Sequence, residues 1–330
     1  MIDLKLLREN PDLVRKTCAR RGSAINVDTL IALDADCRGL LAEVEAMRGE
    51  RNRLSKECKD NPAARDAVRE LKERLAAAEE RLNGLESKIA AMAAYLPNLL
   101  ADDVPEGATD ADNVELRKVG AIPQFDFKVR DHQELGELLD IIDTQRGAKV
   151  AQSGFYYWKG KGAQLVQALF FWTQRELVNR GFELFMTPCV AKEKTLYGTG
   201  YLPFFADQTY GLKDEDLALI GTSEQTLVGF HADEVLDGAT LPRCYTAFTP
   251  CFRTESGSYG KASRGIFRVH QFHKVEQIIF CKPSESVKYH EFCLENEEYL
   301  LRQLGLPYHV VNVCVGDLGA PGYKKYDIEA

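Results

Sequence analysis

The chain has 330 residues with 45% apolar and 28% charged content, the size and balance of a globular protein with room for two domains. Its formal net charge of −8 excludes indiscriminate nucleic-acid binding, which needs an extended basic footprint. No apolar run reaches the roughly 18 residues of a membrane span and no signal-peptide pattern opens the chain. The nine cysteines form no Cys-x-x-Cys pair, which reads as reduced thiols in a cytoplasmic protein without a zinc-type site.

Met1 to Gly22 predicts a short helix or two, broken at Pro11 and closed by Gly22. Residues 1–27 carry six basic side chains against three acidic ones, so positive charge is local on an acidic protein. From Leu30 a heptad seam runs through Leu33, Cys37, Leu40, Val44, Met47, Arg51 and Leu54. After Asp60-Asn61-Pro62 a second runs through Val68, Leu71, Leu75, Ala78, Leu82, Leu85, Ile89 and Met92. Two seams joined by a short turn predict an antiparallel coiled-coil hairpin over about 30–92, with arms about 45 Å long. Such a hairpin could serve as a dimerisation coil or a plain spacer. Between Arg48 and Arg74, however, nine basic residues face six acidic ones while the root is acidic. A basic distal half suits contact with an RNA backbone, with Arg48, Arg51, Arg53, Lys56 and Lys59 as candidates.

Tyr95-Leu96-Pro97-Asn98 ends the second helix, and an Asp-, Pro- and Gly-rich linker runs to about Val119. His132 reads as a helix N-terminal or capping residue. Gly162 to Arg180 has helical periodicity (Leu165, Leu169, Trp172, Leu177), and Gly181 to Pro188 follows as a strand. By itself that pattern supports a core helix packed on a strand. In Leu219 to Glu224, Thr222 and Glu224 share a face if the backbone is extended, with Ser223 between them. The carboxylate there can hold an amino-acid ammonium, but a Thr-x-Glu is also a helix-capping pair.

Cys244 to Cys251 predicts a strand and Gly265 to Phe280 a second one. The loop between them contains Gly257 and Gly260 and exceeds the ordinary hairpin length of roughly 2–5 residues. By parity, Arg253 and Glu255 share a face at the end of the first strand. On the second, Arg268, His270, Phe272, Lys274 and Glu276 share one. An alternating charged face is ordinarily a solvated one, yet Phe272 among the charges suits a planar ligand. Arg253 at a strand end suits a phosphate. His270 and His273 face opposite sides and make no metal site. A helix over Glu291–Gln303, a strand over Leu306–Val313 and a last strand from Tyr326 complete the chain.

Phe252-Arg253-Thr254-Glu255, the loop, and Phe267-Arg268-Val269-His270-Gln271-Phe272 resemble motif 2 of class II aminoacyl-tRNA synthetases, in the form used by seryl-tRNA synthetases. The helix, strand and Pro188 resemble motif 1, Gly198 to Phe204 resembles the family's GTG-x-LP-x-F loop, and Asp131 to Lys149 resembles its opening catalytic segment. The resemblance implies an α+β fold: a tRNA-binding helical arm over 1–105, then a class II antiparallel sheet flanked by helices over 106–330. It implies ATP-dependent activation of L-serine and transfer to tRNA(Ser), and also to tRNA(Sec), by a homodimer formed through motif 1. By the same resemblance Arg253 holds the α-phosphate and contacts serine, with Mg²⁺ bridging the phosphates. Thr254, Glu255, Val269 and Phe272 belong to the ATP site, Phe272 stacking on adenine. Thr222, Ser223 and Glu224 seat the serine ammonium, and Glu276 accepts from its hydroxyl.

Seryl-tRNA synthetases continue past the stretch matching Tyr326–Glu329 into motif 3. The expectation is therefore a chain truncated before motif 3, with an incomplete sheet and no activity alone. The alternative is a non-catalytic paralogue that binds tRNA or a regulator. A relative that charges a carrier protein would lack the hairpin.

Overall fold

The computed structural model describes residues 2–57, 62–255 and 265–330. Helices α1 (Leu4–Glu9), α2 (Pro11–Arg20), α3 (Val27–Glu57) and α4 (Pro62–Ala93) come first. Then follow β1 (Val114–Val119), α5 (His132–Leu138), β2 (Ile142–Asp143), α6 (Thr144–Ala151), β3 (Tyr157–Trp158) and α7 (Gly160–Asn179). Next are β4 (Glu183–Phe185), β5 (Val190–Ala191), α8 (Glu193–Gly198), β6 (Ala218–Leu219) and α9 (Glu224–Gly229). The chain ends with β7 (Arg243–Phe252), β8 (Gln271–Phe280), α10 (Ser286–Gln303), β9 (Tyr308–Asn312) and β10 (Tyr326–Glu329). Two compact units result, Met1–Glu106 with Leu318–Lys324, and Gly107–Asp317 with Lys325–Ala330.

In the first unit, Pro11 takes the first helical position of α2, where its missing N–H is harmless, and Asn10 caps by accepting from Leu13 N. Helices α3 and α4 pair along the two heptad seams. Leu40, Val44, Leu75, Ala78 and Leu82 form one buried cluster, and Leu30 and Ile89 join Leu7, Val14 and Leu96 in another at the root. Each buried leucine contributes about 1.5–3 kcal/mol, so the hairpin is held by its seam rather than by helix propensity. Asp34 is buried at the root, where it accepts from Arg8 and Arg38 at 3.0 Å each.

The second unit is built on sheets. β7 lies between β4, which it pairs in parallel, and β8, which it pairs antiparallel over its whole length from Arg243↔Phe280 to Phe252↔Gln271. Pro250 sits inside β7, but β4 pairs only Tyr245–Ala247, so no ladder bond on that side is lost at Pro250. A second antiparallel sheet has the order β1-β9-β10. Helix α7 packs behind β7 and β8, with the Phe170 ring 4.6 Å from Phe248. Its periodic face is only partly core: Leu177 is buried, whereas Leu165 is 68% exposed. Phe171 beside that face and Met186 after β4 are exposed as well.

Three local expectations change. The second strand begins at Gln271 rather than Gly265, because Gly265 has φ +75° and the following residues turn before joining the ladder. The first strand ends at Phe252, so Arg253 lies just past it, and Glu255 has a left-handed φ of +53°. Strand β6 stops at Leu219, and Ser223 is the helical N-cap of α9, so Thr222 and Glu224 do not share an extended face.

Candidate active site

The site lies where β8, the turn before α9 and the loop after α8 meet. Residues Phe272, Lys274 and Glu276 alternate on β8 opposite Cys251, Thr249 and Ala247 of β7, which puts all three on one face. Thr222 is fully buried, and its hydroxyl donates to Glu276 Oε2 at 2.6 Å. The Thr222 hydroxyl oxygen also accepts the Glu224 N–H at 3.2 Å, a local turn bond two residues along the chain at the start of α9. Glu276 also forms an ion pair with Lys274. Ser223 is fully buried too, and its hydroxyl has no partner among the described residues.

Glu224 points elsewhere. Its Oε2 accepts from the Tyr201 hydroxyl at 2.7 Å. Burial raises the Glu224 carboxyl above the usual range, the Tyr201 hydroxyl draws it back, nearby Glu276 raises it further and Lys274 opposes that. Tyr201 is itself raised, chiefly by burial and then by the Glu224 charge.

Arg253 is anchored by its backbone, donating to His270 O at 3.0 Å, while Phe252 donates to Ile220 O at 2.8 Å. The guanidinium lies over the Phe272 ring, 5.1 Å from its centroid, and Nη2 is 3.5 Å from Gly221 O. It therefore stands between the β8 face and the Thr222 turn, with a flat cation held against a flat ring. Thr254 donates from its backbone to Gln208 O at 3.0 Å and from its hydroxyl to Asp207 O. Glu255 Oε2 accepts from Arg268 Nη1 at 2.8 Å. Val269 is buried in the turn that precedes β8. His132 opens α5 as expected, after the Asp131 cap, and its Nε2 accepts the Ile266 N–H at 3.0 Å.

The structure thus brings Thr222, Glu276, Arg253 and Phe272 together, with Glu224 joined to them through its backbone. Reading the sequence for site residues passed over two members. Lys274 alternates with Phe272 and Glu276, and that spacing was its signal. Tyr201 lies in the Gly-Thr-Gly loop, where only the fold shows its partner. Among the described residues no cluster of three His, Cys, Asp or Glu side chains could hold a metal ion.

On the hairpin, Arg48 is committed within the arm: Nε and Nη2 donate to Glu79 Oε1 at 3.0 and 2.8 Å, and Nη1 to Glu45 at 2.7 Å. Arg51 is half-buried at its seam position and donates to Asn52, whereas Arg53 and Lys56 are exposed. Lys59, Gly257 and Gly260 lie outside the described residues.

A sheet carrying an Arg–Phe contact and a Thr–Glu pair, in a chain that also bears a helical hairpin, agrees with the class that the comparisons give: a class II aminoacyl-tRNA synthetase. The class II core domain model for the G, H, P, S and T enzymes matches residues 209–330, and the seryl-tRNA synthetase N-terminal domain model matches residues 1–100. The chain belongs to the seryl-tRNA synthetase, or serine–tRNA ligase, family. The serine–tRNA ligase of Rubrobacter xylanophilus is 41% identical over 337 residues, covering 100% of this chain and 80% of that protein. The Clavibacter michiganensis enzyme is 43% identical, again over the whole chain and 79% of its own length. The solved seryl-tRNA synthetase of Pyrococcus horikoshii, complexed with ATP, superposes with a TM-score of 0.89 at 36% identity, over 99% of this chain and 80% of that one. The cytoplasmic enzyme of Naegleria fowleri, in complex with AMP, gives 0.84 at 28% identity, over 99% and 78%.

Proposed function

We propose that the chain is a serine–tRNA ligase that joins L-serine to ATP, releasing pyrophosphate, and passes the seryl group to tRNA(Ser). The observation that carries this is the Thr222–Glu276 pair beside the Arg253–Phe272 clamp, in a chain that matches serine–tRNA ligases along its whole length. Adenylate formation needs charge neutralisation and in-line placement at the α-phosphorus rather than proton transfer. Arg253 is the residue for that task, a permanent planar cation that reaches phosphate and serine carboxylate from one position. Phe272 offers the adenine a stacking face, with Thr254, Glu255 and Val269 around the nucleotide. Mg²⁺ arrives as part of the substrate, carried on the phosphates, as suits an ion that keeps most of its own waters.

Glu276 receives the serine hydroxyl, and Thr222, Ser223 and Glu224 receive the ammonium. A carboxylate placed for a hydroxyl disfavours alanine, because alanine would leave its second oxygen without that hydrogen bond while Thr222 and Lys274 hold Oε2. The positive half of the hairpin grips tRNA(Ser), and tRNA(Sec) is a second acceptor of the same kind. The exposed apolar side chains Leu165, Phe171 and Met186 suit a homodimer formed through the α7–β4 region. The absence of any described helix long and apolar enough to cross a membrane is compatible with a cytoplasmic enzyme.

The test is ATP–pyrophosphate exchange with serine, alanine and threonine, followed by aminoacylation of a tRNA(Ser) transcript. Exchange with serine alone, and charging of the transcript, support the reading. Transcript binding without exchange, in a protein that also carries a motif 3 segment, would instead mark a non-catalytic member of the family.

A further inference from the structure

Glu224 is a half-buried carboxylate that, among the described residues, no lysine or arginine pairs with. Lys274, the nearby cation on β8, is engaged by Glu276 instead. A carboxylate partly withdrawn from water is costly unless its oxygens are satisfied. Here Oε2 is satisfied by a neutral donor, the Tyr201 hydroxyl at 2.7 Å. That choice of donor matters. A lysine at this point would cancel the charge and compete with an incoming ammonium, whereas a phenol supplies one hydrogen bond and leaves the charge in place.

The ring itself is fixed from the protein side. Tyr201 N donates to Leu196 O at 2.9 Å, Leu196 is fully buried, and Gly200 before it has φ +80°, a conformation that glycine adopts without strain. The Tyr201 ring packs on Phe205 at 5.8 Å between centroids. The hydroxyl is thus held by covalent geometry and packing, independent of any ligand.

We propose that Tyr201 is a positioning residue for the amino-acid ammonium: its hydroxyl fixes Glu224 Oε2, so that Oε1 faces the amine. This rests on the reading of Glu224 given above, and the experiment separates the two. The charged groups around the pair are Glu276 and Lys274 from β8 and Arg253 from beyond β7. Burial raises the Glu224 carboxyl, and Tyr201 is the leading influence that lowers it. Removing the hydroxyl therefore moves Glu224 further up, so that serine binding is lost at a higher pH as the solution is acidified.

The variants are Tyr201→Phe, which keeps the ring, and Glu224→Gln, which keeps the shape. Serine and ATP KM are measured by serine-dependent pyrophosphate exchange across pH 5–8.5, with a thermal melt to verify folding. Tyr201→Phe is expected to raise serine KM about tenfold, leave ATP KM within about twofold, and shift the acid limb of the serine profile to higher pH. A residue that merely packs would leave that limb in place. If Glu224→Gln raises serine KM while Tyr201→Phe changes neither KM nor the limb, the positioning role is overturned and the ammonium site stands. If Glu224→Gln is silent, the ammonium reading falls and the inference falls with it.

Discussion

The Thr222 hydroxyl donates to Glu276 across 2.6 Å while accepting the Glu224 N–H at 3.2 Å, so one oxygen ties the middle of β8 to the start of α9. Glu276 and the start of the helix that carries Glu224 are held in register by one buried side chain. Thr222→Val keeps the shape and removes both bonds. It takes the acceptor from the Glu224 N–H and leaves Glu276 with Lys274 alone, at a cost of about 1–3 kcal/mol. Serine KM is expected to rise about ten- to a hundredfold with ATP KM nearly unchanged, and Thr222→Ser to restore most of it. Equal loss for the two substrates in exchange kinetics would assign Thr222 to folding alone.

Much of this was legible in the sequence because periodicity is a local signal. The seams from Leu30 and Val68 place each buried layer of the hairpin, and the parity of Phe272, Lys274 and Glu276 places one face of β8. What failed were readings that extended a strand through a backbone reversal. Gly265 and Glu255 adopt left-handed φ, β8 starts only at Gln271 and β6 ends before Thr222, so face-sharing of Arg253 with Glu255, of Arg268 and His270 with Phe272, and of Thr222 with Glu224 could not follow from spacing. Tyr201 was hidden for another reason: its partner is 23 residues away, through a turn and a short strand. For α7, periodicity gave the helix but not which end of it is covered.

Arg253 and Phe272 form a flat cation on a flat ring, 5.1 Å apart. Arg253→Lys keeps the charge and loses both the planar contact and the two-pronged reach. The exchange rate at saturating serine and ATP is expected to fall at least a hundredfold, the scale of losing a positioned transition-state donor. Phe272→Leu keeps the bulk and is expected to raise ATP KM with a smaller change in rate. A fully active lysine variant would remove Arg253 from the phosphate.

His309 on β9 lies between two carboxylates, Glu115 Oε2 at 2.9 Å on Nδ1 and Glu329 Oε2 at 2.7 Å on Nε2. Both nitrogens can donate at once only when the ring is protonated, and the two carboxylates raise its pKa. The folded value thus stands above the unfolded one near 6.5. This contribution to stability is fully present below about pH 6.5 and fades as pH rises through the folded value. Denaturant melts should show stability falling with pH above neutrality, and His309→Gln should flatten that slope. A slope unaltered in the variant would mean that the ladder across β1, β9 and β10 does not depend on the charge.

The hairpin allows the RNA reading to be tested by contrast between residues. Arg48 already spends its guanidinium on Glu79 and Glu45, whereas Lys56 is exposed near the end of α3. A cation that holds two carboxylates of its own arm has little net charge left for a phosphate. Lys56→Gln should therefore weaken tRNA(Ser) binding and lower the slope of log K against log salt by about 0.7–0.9, the share of one phosphate contact. Arg48→Gln should leave that slope unchanged and lower the helical melting temperature instead, because Glu45 and Glu79 lose their shared partner. Neither variant should alter serine-dependent pyrophosphate exchange, since adenylate formation requires no tRNA contact. Equal salt slopes for the two variants would mean that Arg48 leaves its carboxylates to meet RNA. A parallel fall in exchange would make the hairpin a support for the catalytic site.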